Sequence, residues 1–96
     1  MFVGFGVLDL HLPHSRDLKS KRRVVKGLVD RIHARARVSV AETGSHDLHQ
    51  RAEIGIAVVS GDPGEVERML GQVLEIAEQE TQTMILAWDP QIEEWE

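Results

Sequence analysis

The 96-residue chain contains no cysteine, which removes disulfides, thiol nucleophiles and cysteine metal sites and suits a reducing compartment. Asparagine and tyrosine are absent too, and the aromatic side chains other than histidine are two Phe and two Trp. No apolar run approaches the roughly 18 residues that a membrane-spanning helix needs, and no basic segment precedes the apolar start of the chain. Neither a span nor a signal peptide is expected, so the reading places the chain in the cytoplasm with no membrane partner. The lack of Asn and Cys, few Lys beside more Arg, and abundant Glu form a composition that suits a thermophilic source.

What remains is 42% hydrophobic, enough for a globular core. The length fits a single domain over residues 1–96 and leaves no room for a second core. Charge is distributed unevenly. Ser15 to Arg37 holds nine of the eleven Lys and Arg residues against two acids, so a segment of about +7 sits in a chain of net charge −5. Within it Leu18, Val25, Leu28, Val29, Ile32 and Ala36 recur at three- and four-residue intervals, the stripe of a core-facing helix. Lys19, Arg22, Arg23, Lys26, His33 and Arg37 cluster on the neighbouring face. Any one basic residue there is satisfied as a solvated surface charge, but their concentration points to an anionic partner.

The rest of the chain alternates between period two and period 3.6. Phe2 to Leu12 reads as a strand that Pro13 ends, and Ser15 or Asp17 can cap the basic helix, which runs to about Ala36. Arg37 to Thr43 reads as a second strand, GSHDLHQ at 44–50 as a turn-rich connector, and Arg51 to Ser60 as a third strand. Asp62, Pro63 and Glu65 stand as N-cap, first helical residue and capping-box acid of a second helix. Its stripe is Val66, Met69, Leu70, Val73, Ile76 and Ala77, and it ends near Glu80. Thr83 to Trp88 reads as a fourth strand, and Pro90 interrupts an acidic tail whose end frays or docks through Trp95. The order βαββαβ predicts an α+β sandwich of ferredoxin-like topology, a four-stranded antiparallel sheet with both helices on one face.

LHLP at 10–13, LKSKRRVVKGLVDRI at 18–32, VSVAE at 38–42 and DLHQRAEIGIAVVS at 47–60 together resemble a small bacterial family called YlxP-like, or domain of unknown function 503. The resemblance covers most of residues 4 to 75 and rests on several separate motifs. It implies a ferredoxin-like fold, no assigned activity, and a genomic setting often beside translation and ribosome-maturation factors. One departure is visible. Where the family usually has Trp, this chain has His49.

The predicted topology brings His11, His14, Arg16, Lys19, His46, Asp47, His49 and Arg51 to one end of the molecule. Three uses are open to them: a metal site, an anion site that combines the helix N-terminus with Lys19 and Arg16, or local hydrogen bonding. His11 and His14, and His46 and His49, are each spaced H-x-x-H, which makes them the candidates a metal would use. Without cysteine or an H-E-x-x-H sequence the reading assigns no metal and no cofactor. Catalytic residues are not assigned either. No serine lies in a G-x-S-x-G or Walker sequence, and the Asn that acylphosphatases of this fold use is missing. A small metal- or anion-dependent enzyme stays the third choice.

The favoured function is non-catalytic binding of ribosomal or other structured RNA. Its candidate residues are Arg16, Lys19, Arg22, Arg23, Lys26, His33, Arg37 and Arg51. The sheet is not expected to read bases, because the third strand offers Glu53, Gly55 and Ala57 where an RNA-recognition motif has stacking aromatics. A homo-oligomeric interaction module is the alternative. Period two sends Val3, Phe5, Val7, Ala57 and Val59 to the side of the sheet away from the helices, where a second copy or the tail with Ile92 and Trp95 would cover them.

Overall fold

Alternating side chains from Phe2 to His11 build β1, and the equally regular run Arg51–Ser60 builds β3. In the computed structural model, which describes all 96 residues, the two strands pair antiparallel from Phe2↔Ser60 to His11↔Arg51. Period two then sorts their side chains without exception in the centre of the sheet. Leu8, Leu10, Ala52, Ile54, Ile56 and Val58 are buried on one face, and Phe5, Val7, Ala57 and Val59 are exposed on the other. The short strand β2 (Ser39–Gly44) pairs with β3, and β4 (Met84–Ala87) with the C-terminal half of β1. The order β2-β3-β1-β4 with all neighbours antiparallel is the ferredoxin-like arrangement.

The helices α1 (Leu18–Arg35) and α2 (Pro63–Glu78) cover the buried face. Val25, Leu28 and Ile32 of α1 and Val66, Met69, Leu70, Val73, Ile76 and Ala77 of α2 join the strand residues in one cluster of 18 buried hydrophobic residues. Close packing of α2 on the sheet depends on Gly4. A Cβ at that position would lie 2.4 Å from Cγ1 of Val66, a distance no real contact adopts, so the missing side chain sets how near the helix sits.

Both helices start on aspartate. Asp17 accepts from the amide of Ser20 at 2.7 Å, and Asp62 from that of Gly64 at 3.0 Å, ahead of Pro63. The expected capping box at Asp62 takes a relayed form. The amide of Asp62 donates to the Ser60 hydroxyl at 3.1 Å, and that hydroxyl donates to Glu65 Oε2 at 3.3 Å. One serine thus stands between the two groups that a capping box joins directly.

A fifth strand extends the predicted sheet. Gln91–Glu94 forms β5, paired antiparallel with the N-terminal half of β1 from Phe2↔Glu94 to Phe5↔Gln91. The β4 and β5 strands therefore divide one edge of β1 between them. Pro90, which has no amide to give the ladder, lies in the break, close to a register shift at Asp9 and Leu10. The tail is held along its length. Trp95 donates its amide to the Met1 carbonyl at 2.7 Å, and the Met1 ammonium returns a bond to the Trp95 carbonyl at 3.0 Å.

Candidate nucleic-acid interface

The loop after β1 turns directly into α1 and meets the β2–β3 hairpin. Leu12 donates its amide to the Gln50 carbonyl at 2.9 Å, His11 Nδ1 lies 3.1 Å from the same oxygen, and the Gln50 side chain reaches the Ser15 carbonyl at 3.4 Å. His11, Arg16, Lys19 and the hairpin histidines therefore do come to one end of the molecule. There is no group of three or more His, Asp or Glu that could hold a metal ion in that region or elsewhere.

Lys21 is what fastens this end. It sits three residues after Leu18 and four before Val25, on the apolar stripe, and it is completely buried. Its ammonium has three N–H donors, and three backbone carbonyls take them: Ser45 at 2.7 Å, His46 at 3.2 Å and Arg51 at 3.2 Å. Glu42 Oε2 lies 3.1 Å away but off the hydrogen-bonding axis, so it contributes charge rather than a directional bond. Ser45, the one non-glycine residue at positive φ (59°), is held further by its hydroxyl, which donates to Glu53 Oε2 at 2.6 Å. Counting Lys21 among the surface charges of the basic segment overstates that surface by one. Its position on the stripe, four residues before Val25 and seven before Leu28, was the available signal, because an outward-facing lysine does not fall in line with core residues of a helix.

The remaining cations divide by partner. Lys26 pairs with Asp30 at 2.8 Å one helical turn on, Arg31 pairs with Glu80 beyond α2, and Arg51 grips both oxygens of Asp9 at 2.8 and 2.9 Å. The Arg51–Asp9 pair lies on the open face of the sheet, which separates Arg51 from the other candidate RNA contacts. Arg16, Lys19, Arg22, Arg23, Arg35 and Arg37 are exposed and make no salt bridge. His33 is exposed on the last turns of α1.

Two of the free cations border a concavity. Between the β1–α1 loop, one side of α1 and the chain after α2 runs a groove of about 380 Å³, lined by Arg16, Arg23 and Arg31 with His14, Ser20, Gln82 and Glu80. Glu80 is its single acid. That carboxylate is occupied twice, by Arg31 and by the Gln82 amide at 3.0 Å. Gly27 also lines the groove, in the middle of an 18-residue helix, and a Cβ there would meet only Arg31 Nη1 at 3.8 Å. Alanine would fit that space and favour the helix by about 1 kcal/mol. Packing therefore gives no reason for the glycine.

The opposite side of the sheet carries the second set of candidates. Val3 is half-buried; Phe5, Val7 and Val59 are 38%, 44% and 57% exposed, and Ala57 is exposed between them. The tail does not cover this face, because β5 adds to the sheet edge in the plane of the strands. Met84 and Leu86 of β4 are also at least half exposed, which sequence reasoning missed because the short run TMILAW shows no clear alternation. A depression of about 400 Å³ crosses this face between Phe5, Val7, Ala41, Thr43 and Ala57.

A family model described as "Protein of unknown function (DUF503)" matches residues 3–89, ending before β5. The chain is also 35% identical over 72 residues to the "Uncharacterized protein YlxP" of Bacillus subtilis (strain 168), an alignment that covers 75% of this chain and 78% of that protein.

Proposed function

Since the chain belongs to the DUF503 family, which carries no assigned activity, we propose from the side chains that it is a non-catalytic RNA-binding protein whose contact surface is the basic side of α1. One observation carries this reading: six exposed Arg and Lys residues between Arg16 and Arg37 have no acidic partner, in a chain of net charge −5. A protein with that balance is repelled by RNA at long range. Within a Debye length of about 8–10 Å the local charge decides, and there the helix is positive. Lys19, Arg22 and Arg23 lie on its first two turns and Lys26 on the third, a spacing that suits successive backbone phosphates rather than base edges. The translation setting that the resemblance implies makes ribosomal subunits the first RNA to try.

The test is affinity for ribosomal subunits and for RNA across a salt series, with wild type and the charge reversal Arg23→Glu/Lys26→Glu. If about four phosphates are neutralised, log K falls against log salt with a slope near −3 for a single strand. The reversal should abolish binding and lower the melting temperature only slightly, since both side chains are exposed and the one interaction lost is the surface pair of Lys26 with Asp30. Equal affinities for the two proteins would end this reading.

The exposed apolar side of the sheet supports a second reading, a homo-oligomer in which two copies bury Phe5, Val7 and Val59 against each other. The two functions occupy opposite sides of the molecule. Neither one requires or prevents the other.

A further inference from the structure

We infer that the groove beside α1 is a phosphate seat, built to take the phosphate and sugar of one nucleotide from an RNA strand; this rests on the RNA reading above and names the place where the strand is gripped. Three arginines line the groove against one glutamate, which leaves two positive charges facing a concave surface. Their roles differ. Arg31 is held in place by Glu80, and Glu80 is itself fixed by the amide of Gln82, whereas Arg16 and Arg23 reach the groove with no acid attached. Two free guanidinium forks near one oriented by its carboxylate form an arrangement that recognises the oxygens of a phosphate.

Size narrows the ligand. About 380 Å³ lies at the small end of pockets that enclose organic ligands and is far too little for a duplex. A phosphate with its sugar is of the right scale, and the exposed Gln82 side chain supplies an acceptor for a sugar hydroxyl.

Gly27 is the second, independent observation. It forms part of the wall at the middle of α1, where a helix disfavours glycine and where the protein itself leaves room for a Cβ. A backbone bared toward an arginine-lined groove allows close approach of a ligand. A side chain there would stand in the ligand's place.

The deciding experiment blocks the groove without touching its charge. Gly27→Met inserts a good helix former, so it should melt no lower than wild type, and its affinity for a short fluorescein-labelled single-stranded RNA of mixed sequence should fall by about tenfold or more. Arg16→Gln should lower affinity for the same probe and reduce the salt slope by about one contact. If Gly27→Met binds the probe as wild type does while Arg23→Glu/Lys26→Glu has lost it, the groove is not the seat and RNA lies only on the outer surface of the helix. If the reversal also binds as wild type does, the RNA reading falls and this inference with it.

Discussion

Lys21 and Asp17 stand four residues apart and fasten the same corner by different physics. Lys21 is a charge withdrawn from water and made tolerable by three carbonyls and a carboxylate. Deleting it leaves those acceptors without a donor, and breaking one side of a buried charged network costs about 3–5 kcal/mol. Lys21→Met should therefore lose about that much stability in chemical denaturation. Part of the loss should return in Lys21→Met/Glu42→Gln, because the second change removes the uncompensated acid. Asp17 is exposed, and its carboxyl is held below the usual 3.8 chiefly by the hydrogen bond from the Ser20 amide, then by the Ser20 side chain, with help from Lys19 and His49. A lowered carboxylate contributes stability that is complete above the unfolded value and is lost as pH falls through the folded one. Asp17→Asn keeps a capping oxygen but no titrating group. Its stability should decline less than that of wild type on acidification, which melting curves taken from neutral to acidic pH will show. On the alkaline side the sign reverses for Lys26, whose ammonium is raised above 10.5 by its bond to Asp30 and loses that contribution as pH climbs through the raised value.

At the scale of elements, how well the sequence could be read depended on how many residues repeat one environment. The strands β1 and β3 and helices α1 and α2 were legible because ten to eighteen consecutive residues repeat a single pattern, with Ser15 or Asp17 ahead of α1, of which the structure uses Asp17, and Asp62 ahead of α2. The β5 strand was not. Gln91–Glu94 is entirely exposed and has two acids among its four residues, so neither propensity nor alternation marks it; it is a strand because β1 offers an unpaired edge once β4 has ended. The groove was equally hidden, since its residues are gathered from positions 12–31 and 80–82 and only the fold brings them together. Lys19, Arg22, Arg23 and Lys26 were legible as exposed from the helical period, whereas Arg35, equally exposed and unpaired, was missed. Partner choice was not legible at all: nothing local says that Arg31 meets Glu80 or that Arg51 turns to Asp9. A consequence for β5 can be tested. Removing residues 91–96 strips the N-terminal half of β1 of its second neighbour and of the bonds between Met1 and Trp95. The truncated chain should keep its core, melt lower, and exchange the amides of Val3 and Phe5 faster than those of Leu8 and Leu10, as hydrogen exchange would resolve.

The whole molecule is two-sided, with basic α1 and the groove on one side of the sheet and an apolar surface on the other. The apolar side sets a limit on how strongly two copies can hold each other. A face four strands wide is about 15 Å across and, at ten residues, about 30 Å long, so two such faces can bury only a modest area beside the roughly 800 Å² per partner of a standard interface. Phe5, Val7, Val59, Met84 and Leu86 are the large apolar groups there, each at least a third exposed and so already partly buried in the monomer. At about 25 cal/mol per Å² the gain is real, but the loss of translational and rotational freedom cancels much of it. The proposed dimer should therefore be weak and depend on concentration in the micromolar range. Phe5→Glu should abolish it, because the substitution puts a charge in the middle of the face, while the melting temperature of the dilute monomer stays close to wild type, as the Phe5 ring makes no part of the core cluster. Sedimentation velocity on both proteins over a concentration series decides the matter: wild type that stays monomeric at the highest concentration would leave the sheet face without a second copy, whereas wild type that associates while Phe5→Glu does not would assign the face to self-assembly.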